Sequence, residues 1–288
     1  MDERMARRMQ IKNATRKGFR LALQFFVLVM SIASLMPLYW MITGSFKIQT
    51  DAMKVPPEWF PADPTLRNYQ NLFFSSYPTL RWFANSVITA GAIAFFATIT
   101  STLAGYSFGK KEFPGRVPLF WLFLMAMMLP VYIYIIPLFI TVRRFHWIDT
   151  YWGLCAPYLV YPFGIFLMKQ FMQNIPQDLI DAARMDGASE LKLFWRIIFP
   201  LSNPVVGAVA IFSFMQGWNA YLWQLVTISK RTMLTLPVGV SKLASGWQEY
   251  DLGLAMAGAT FAFLPMLFIF LLFQSYFVKG ITMGAVKG

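Results

Sequence analysis

Six stretches of this chain, residues 21–46, 82–109, 117–142, 150–168, 197–229 and 252–278, run without a single Asp, Glu, Lys, Arg or His. Each can hold a helix of about 20 residues, the length that crosses a hydrocarbon core of roughly 30 Å. The pattern predicts an all-α polytopic membrane protein with six transmembrane helices. A transmembrane barrel would alternate apolar and polar positions over about ten residues rather than stay apolar throughout. A soluble protein with six buried helices would need polar surface to cover them, and too little lies outside the runs.

Composition agrees with the pattern. Hydrophobic residues make up 57% of the chain and charged residues 13%, against roughly a quarter charged in soluble domains. A single cysteine, Cys155, excludes an internal disulfide and reads as a small hydrophobe. The net charge of +12 is placed for lipid rather than nucleic acid: Arg4, Arg7, Arg8, Lys12, Arg16, Lys17 and Arg20 all precede the first run. Beside anionic headgroups they would hold the N-terminus inside, as an uncleaved anchor. With six spans both termini are inside, where sixteen of the 25 Lys and Arg then lie. Residues 1–20 are thus a basic N-terminal segment and 21–288 the membrane domain.

Local signals refine this frame. Pro37 is expected to bend or end the first span. Residues 47–81 mix five prolines with Trp59, Phe60, Tyr69, Phe73, Phe74 and Tyr77, a folded interfacial loop that is either a lid or a face for an external partner. Asn85-Ser86 reads as a cap for the second span, whose Gly91, Ala92, Ala94, Ala97, Ser101, Ala104 and Gly105 suit an interior helix. Met125, Met127 and Met128 precede Pro130 and Pro137 in the third, as adaptable packing or a moving part. Pro157, Pro162 and Gly164 predict an irregular fourth span facing protein or a cavity. His146 stands alone, without partners at metal-ligand spacing. In the sixth, the pairs Gly253/Ala257 and Ala255/Ala259 predict a close crossing.

Two segments carry candidate chemistry. The first, residues 216–224 (QGWNAYLWQ), sets amides among aromatic rings, from which Asn219, Tyr221 and Gln224 are candidates to border a sugar route; an outer aromatic belt explains the residues equally well. The second, residues 178–204, holds four of the thirteen acidic residues between long charge-free flanks. Pro176-Gln177-Asp178 starts a helix with Asp178 and Asp181 near its N-terminal amides. Asp186-Gly187 makes a turn, and residues 190–199 read as a second, amphipathic helix with Leu191, Phe194, Ile197 and Ile198 on its apolar side. Ala182 and Ala183 leave a smooth surface, and the pair of helices forms a knob for a partner. The chain has no G-x-x-x-x-G-K-[ST] phosphate loop and no ionisable residue inside its runs for a proton relay. Energy for active transport would enter from elsewhere, through that knob.

The second segment resembles the EAA loop of binding-protein-dependent ABC importer permeases, whose pattern is E-A-A, three residues, G, nine residues, I-x-L-P. Asp181-Ala182-Ala183, Gly187 and Ile197-Ile198-Phe199-Pro200 reproduce both spacings, with Asp181 for the usual Glu and Phe199 for the usual Leu. Trp218-Asn219-Ala220-Tyr221-Leu222-Trp223, Thr235-Leu236-Pro237-Val238-Gly239 and the tail from Tyr276 to Gly288 resemble the carbohydrate-uptake branch, within it the smaller, MalG-type subunit of maltose-transporter-like systems.

The resemblance implies a non-catalytic subunit in the cytoplasmic membrane of a bacterium or archaeon. Its partners would be a homologous second permease, two ATP-binding subunits and an extracytoplasmic solute-binding protein, with membrane lipid around it and no nucleic acid. No cofactor is expected in this chain, ATP and Mg being bound by the ATPase partners. Asp181, Ala182, Ala183, Asp186 and Gly187 would dock on an ATPase subunit, and Lys279, Gly280 and Lys287 of the tail would reach toward the same partner. The cargo would be a carbohydrate, an oligosaccharide first; glycerol phosphate or another polar solute on the same machine is the nearer alternative. An ion-coupled carrier or a non-transporting scaffold is the more distant one.

Overall fold

The computed structural model describes residues 2–245 and 251–282, with side chains for 16–245 and 251–274. It is all helical, 78% helix, with no strand among the described residues. Three helices are individually long and apolar enough to cross a membrane: α1 (Asp2–Gly44), α4 (Thr79–Lys110) and α15 (Leu252–Thr282). Short helices α2 (Gln49–Ala52) and α3 (Arg67–Phe74) lie between the first two. The other three runs are bent pairs. α5 (Arg116–Met128) meets α6 (Val131–Arg144) at 103°; α7 (Tyr151–Cys155), extended by a 3₁₀ turn to Tyr158, meets α8 (Pro162–Met172) at 41°. The segment Glu190–Leu201 meets α12 (Asn203–Asn219) at 81°. α9 (Gln177–Met185), α10 (Glu190–Leu193) and α11 (Phe199–Leu201) build the connection before α12; α13 (Leu222–Thr227) and α14 (Leu236–Ala244) follow it.

The breaks follow from proline. Pro130 and Pro162 supply no amide hydrogen and push the preceding residue into extended backbone, as Leu129 (ψ 119°) and Tyr161 (ψ 94°) show. The breaks expected at Pro130 in the third span and Pro162 in the fourth are present, whereas Pro137 lies inside α6, which runs on to Arg144. Pro37 likewise lies inside α1, which continues to Gly44. Its missing amide removes one hydrogen bond, whereas ending the helix in hydrocarbon would orphan several carbonyls. Nor does α1 break at residue 20, so the basic segment and the first span share one helix backbone.

α4 is the central element, packed most extensively against α12 and α8. Its small residues explain the closeness: a Cβ on Gly105 would overlap the Met168 side chain, and one on Gly164 of α8 would come within 2.5 Å of Ser101 Oγ. α4 also satisfies carbonyls freed by the neighbouring break, since Thr100 Oγ1 donates to Leu159 O (2.8 Å) and Ser101 Oγ to Tyr161 O (3.3 Å). Asn85 and Ser86, expected as a cap, lie inside the helix because α4 already begins at Thr79. They join it to the loop before α14 instead: Asn85 Nδ2 donates to Thr232 O (2.8 Å) and Leu234 O (2.9 Å), and Ser86 Oγ accepts from Leu236 N (2.8 Å).

The close crossing expected at the start of the sixth span is present, with Gly253 against Lys47 O and the Asn68 amide and Ala257 fully buried. Residues 47–81 are folded onto it. Asn68 Nδ2 bridges Ser45 O (2.9 Å) and Lys47 O (2.7 Å), the buried Lys47 ammonium lies 4.7 Å from the Trp40 ring, and Trp59 packs edge-on against Trp40. His146 and Asp149 adopt positive φ (57° and 58°), and Asp149 Oδ1 accepts from the amides of Ser229 (2.6 Å) and Lys230 (2.8 Å). His146 therefore sits in a turn, and no group of three metal-ligating side chains occurs among the described residues.

Gly105→Leu is expected to destabilise the α4–α8 crossing by roughly 1–3 kcal/mol, the usual cost of overpacking. Gly91→Ala, inside the same helix but where an added Cβ meets nothing within 4 Å, is expected to be neutral to stabilising by up to about 1 kcal/mol. Thermal unfolding of the two variants in detergent checks the contrast.

Candidate functional site

Residues 177–202 form a helix, a tight turn and a second, irregular helix. α9 ends in a paired hydrogen-bond closure: Ala188 N donates to Ala183 O (3.0 Å) and Gly187 N to Arg184 O (3.0 Å), with Gly187 at φ +76°. This is the Schellman arrangement, which demands a left-handed residue. Nothing lies within 4 Å of a Cβ added at Gly187, so conformation rather than space requires glycine. Ser189 then caps α10 by accepting from Lys192 N (3.4 Å).

Past α10 the helix widens into a π turn over Phe194–Ile198, closed by Phe199 N on Phe194 O. Pro200 lacks the amide that an α-turn would direct at residue 196, which favours the wider turn. The extra residue per turn brings Ile198 back into line with Leu193 and Phe194, all three buried. Leu191, expected on that face, is instead 72% exposed, because the widened turn selects Leu193 in its place. The buried side of the loop also takes in Ile180 and Ala183, which pack with Tyr106 of α4, Met168 and Met172 of α8 and Val205 and Val209 of α12.

The structure thus divides the sequence-derived docking residues. Asp181, Ala182, Asp186 and Gly187 are exposed, whereas Ala183 faces the core. Leu179 and Met185, the latter 88% exposed, lie on the outer side with them. Asp181 is oriented from within the loop, accepting from Gln177 Nε2 (3.2 Å) and Arg184 Nη1 (3.3 Å).

A second set of residues, absent from the sequence reading of the site, anchors the loop to α4. Glu190 accepts from Tyr106 OH (3.1 Å) and Arg184 Nη2 (3.1 Å) and pairs with Lys111. Lys111 also lies 5.3 Å from the Tyr106 ring. Lys110 Nζ donates to Gln173 O (3.2 Å) and to Ile175 O, holding the chain just before α9. The Lys111 hydrogen bond, aided by Tyr106 and Arg184, holds the Glu190 carboxyl below the usual carboxylate range. The only sequence signal for this junction was the Lys110-Lys111 pair ending the second charge-free run.

The substrate-path candidates are not brought together. α12 stops at Asn219, Ala220 is extended (ψ 111°), and α13 starts at Leu222. Asn219 is exposed, and the Tyr221 hydroxyl pairs with Ser241 Oγ at 2.8 Å. Gln224 is 1% exposed, its amide donating to Gly217 O (3.3 Å) and its carbonyl accepting from Thr235 Oγ1, so it braces the break in the helix. In the tail, Lys279 and Gly280 lie within the backbone of α15 and Lys287 lies outside the described residues.

A helical membrane chain with a rigid two-helix projection is the architecture of an importer permease. Comparison with known proteins is specific: this chain belongs to the family of binding-protein-dependent transport system inner membrane components, whose profile matches residues 101–283. It is 35% identical to the arabinooligosaccharides transport system permease protein AraQ of Bacillus subtilis, over 94% of this chain and 96% of that one. It is 32% identical to the trehalose/maltose transport system permease protein MalG of Thermococcus litoralis (93% and 97% covered), and 29% identical to the sn-glycerol-3-phosphate transport system permease protein UgpE of Yersinia enterocolitica (93% and 97%). A chain in the crystal structure of a bacterial ABC transporter involved in import of the acidic polysaccharide alginate shares the fold, with a TM-score of 0.80 at 19% identity over 91% of this chain and 98% of that chain.

Because the folded carboxyl of Glu190 titrates below its unfolded value, its contribution is complete above the ordinary glutamate range, about pH 4.3, and is lost as pH falls through the depressed value. Glu190→Gln at neutral pH is therefore expected to speed amide exchange in residues 177–193 by roughly two- to fivefold. The wild-type loop is expected to loosen likewise below the usual carboxylate range, after correction for intrinsic rates.

Proposed function

We propose that this chain is a transmembrane permease subunit of an ATP-driven importer that moves a carbohydrate, in the first instance an oligosaccharide, delivered by an extracytoplasmic binding protein. It works in the cytoplasmic membrane of a bacterium or archaeon beside a homologous second permease and two ATP-binding subunits, which hold ATP and Mg. Each bent helix pair counts as one span, giving six, with both termini inside. The names of the relatives support the cargo, two of the three cited being saccharide permeases. The glycerol-phosphate relative favours a second reading at lower identity. A phosphate cargo would call for a cation in its path, and none of the six charge-free runs offers one.

The observation that carries the coupling mechanism is the construction of the 177–202 loop. Its outer face offers Asp178, Leu179, Asp181, Ala182, Met185 and Asp186 to a partner. Its inner face is buried against α4, α8 and α12, and Glu190 ties it to Tyr106 and Lys111. A load applied to α9 by closure of the ATPase subunits passes through the Gly187 turn into α10 and α12, and through Glu190 into α4. The pore is thereby switched from inward-facing to outward-facing. Ala183 serves as the tight contact beneath the docking face rather than as part of it.

In proteoliposomes holding the complete transporter, uptake is expected to require ATP, both permeases and the binding protein; uptake driven by an ion gradient without the ATPase would overturn the reading. Gly187→Pro and Met185→Asp are expected to lower uptake and binding-protein-stimulated hydrolysis by roughly five- to a hundredfold, the range of common coupling energies. Copurification of the partners separates lost coupling from lost assembly.

A further inference from the structure

Between the breaks of two spans lies a cavity of about 520 Å³, walled by Met127 and Leu129 at the end of α5, Tyr134 and Leu138 of α6, Pro157, Tyr158 and Val160 to Phe163 around the α7–α8 break, and Gln216 and Trp223 flanking the end of α12. Its volume lies in the range that holds a small ligand, roughly 300–1,000 Å³. Its polar groups are all uncharged. Tyr134, Tyr158, Tyr161 and Gln216 line it, and none of the four side chains makes a hydrogen bond to another described residue. The Trp223 indole, by contrast, is committed to Gly153 O at 2.9 Å, which leaves its ring as fixed wall.

We infer that this cavity is a saccharide subsite contributed by this chain itself. The inference rests on the carbohydrate reading above. Three phenols and a carboxamide present donors and acceptors to a neutral polyol, and the surrounding rings give apolar faces for the C–H side of a sugar ring. A phosphate or carboxylate would find no cation among the lining residues. Irregular backbone at membrane depth is tolerated where it lines a cavity, and both flanking breaks do so here. The cavity wall takes Gln216, about one helical turn before Asn219, and Trp223, next to Gln224, rather than Asn219, Tyr221 or Gln224 themselves.

The test is uptake by the reconstituted full complex of radiolabelled arabinotriose, maltotriose, trehalose and sn-glycerol 3-phosphate. Wild type is compared with Tyr134→Phe/Tyr158→Phe and with Gln216→Leu. The double variant removes two hydroxyls and keeps both rings, so assembly is expected at wild-type yield. Expected is transport of at least one saccharide by wild type, a roughly tenfold fall for that saccharide in the double variant, and altered relative rates across the saccharides. Saccharide uptake at wild-type rates and ratios in both variants would overturn the subsite while leaving the carbohydrate reading intact. A uniform fall that tracks a loss of assembled complex would also overturn it. Wild-type uptake of glycerol phosphate alone would overturn the carbohydrate reading and the subsite together.

Discussion

Hydrocarbon offers no partner to a backbone amide or carbonyl, and this constraint shapes the whole molecule. Three of the six apolar runs are interrupted, and each interruption frees carbonyls and amides that must be met by protein. α4 meets them at the α7–α8 break, where Thr100 and Ser101 donate to Leu159 and Tyr161. It can do so only because Gly105 and Gly164 let α4 and α8 approach to backbone contact. Close packing and polar satisfaction are one arrangement here: without the small residues the hydroxyls could not reach.

α4 also joins two distant parts of the chain, the 173–190 segment and the loop before α14. At one end Tyr106, Lys110 and Lys111 hold the 173–190 segment; at the other, Trp82 and Asn85 hold the carbonyls of Arg231, Thr232 and Leu234. Hydrogen bonds at both its ends make α4 the element that connects these two regions. The second junction is made to backbone carbonyls, and the first to two carbonyls and the Glu190 carboxylate, so chain path sets most of the second and side-chain identity half of the first.

The resemblance of residues 178–204 to an importer loop was legible from spacing, and the family comparison supports it on nearly the whole chain. Orientation within the loop was not. Ala182 and Ala183 are adjacent in a smooth-looking pair, but successive helical residues are about 100° apart, so burying Ala183 turns Ala182 outward. The same rotation, altered by the π turn, removed Leu191 from the apolar face that simple helical spacing assigned it. Residues 216–224 show the corresponding limit for an amide-aromatic cluster: composition marked it as unusual, while the break at Ala220 sent Gln224 into the interior and left Gln216 and Trp223 on a cavity wall.

Sequence by itself determined the helical membrane class, the six apolar runs, the proline breaks in the third and fourth, the small-residue crossings and the glycine turn at 187. These are local properties, set by hydrophobic length, by the missing amide of proline and by the one residue that accepts positive φ. Tertiary structure decided which residues meet across 66 to 150 positions of chain, as in Tyr151 with Asn85 and Leu236 with Ser86, and which members of a polar cluster pair with each other rather than face a ligand. It also decided that Glu190, unremarkable in its own helix, joins the loop to α4. Such partners are chosen by how helices cross and rotate, and no local pattern encodes that angle.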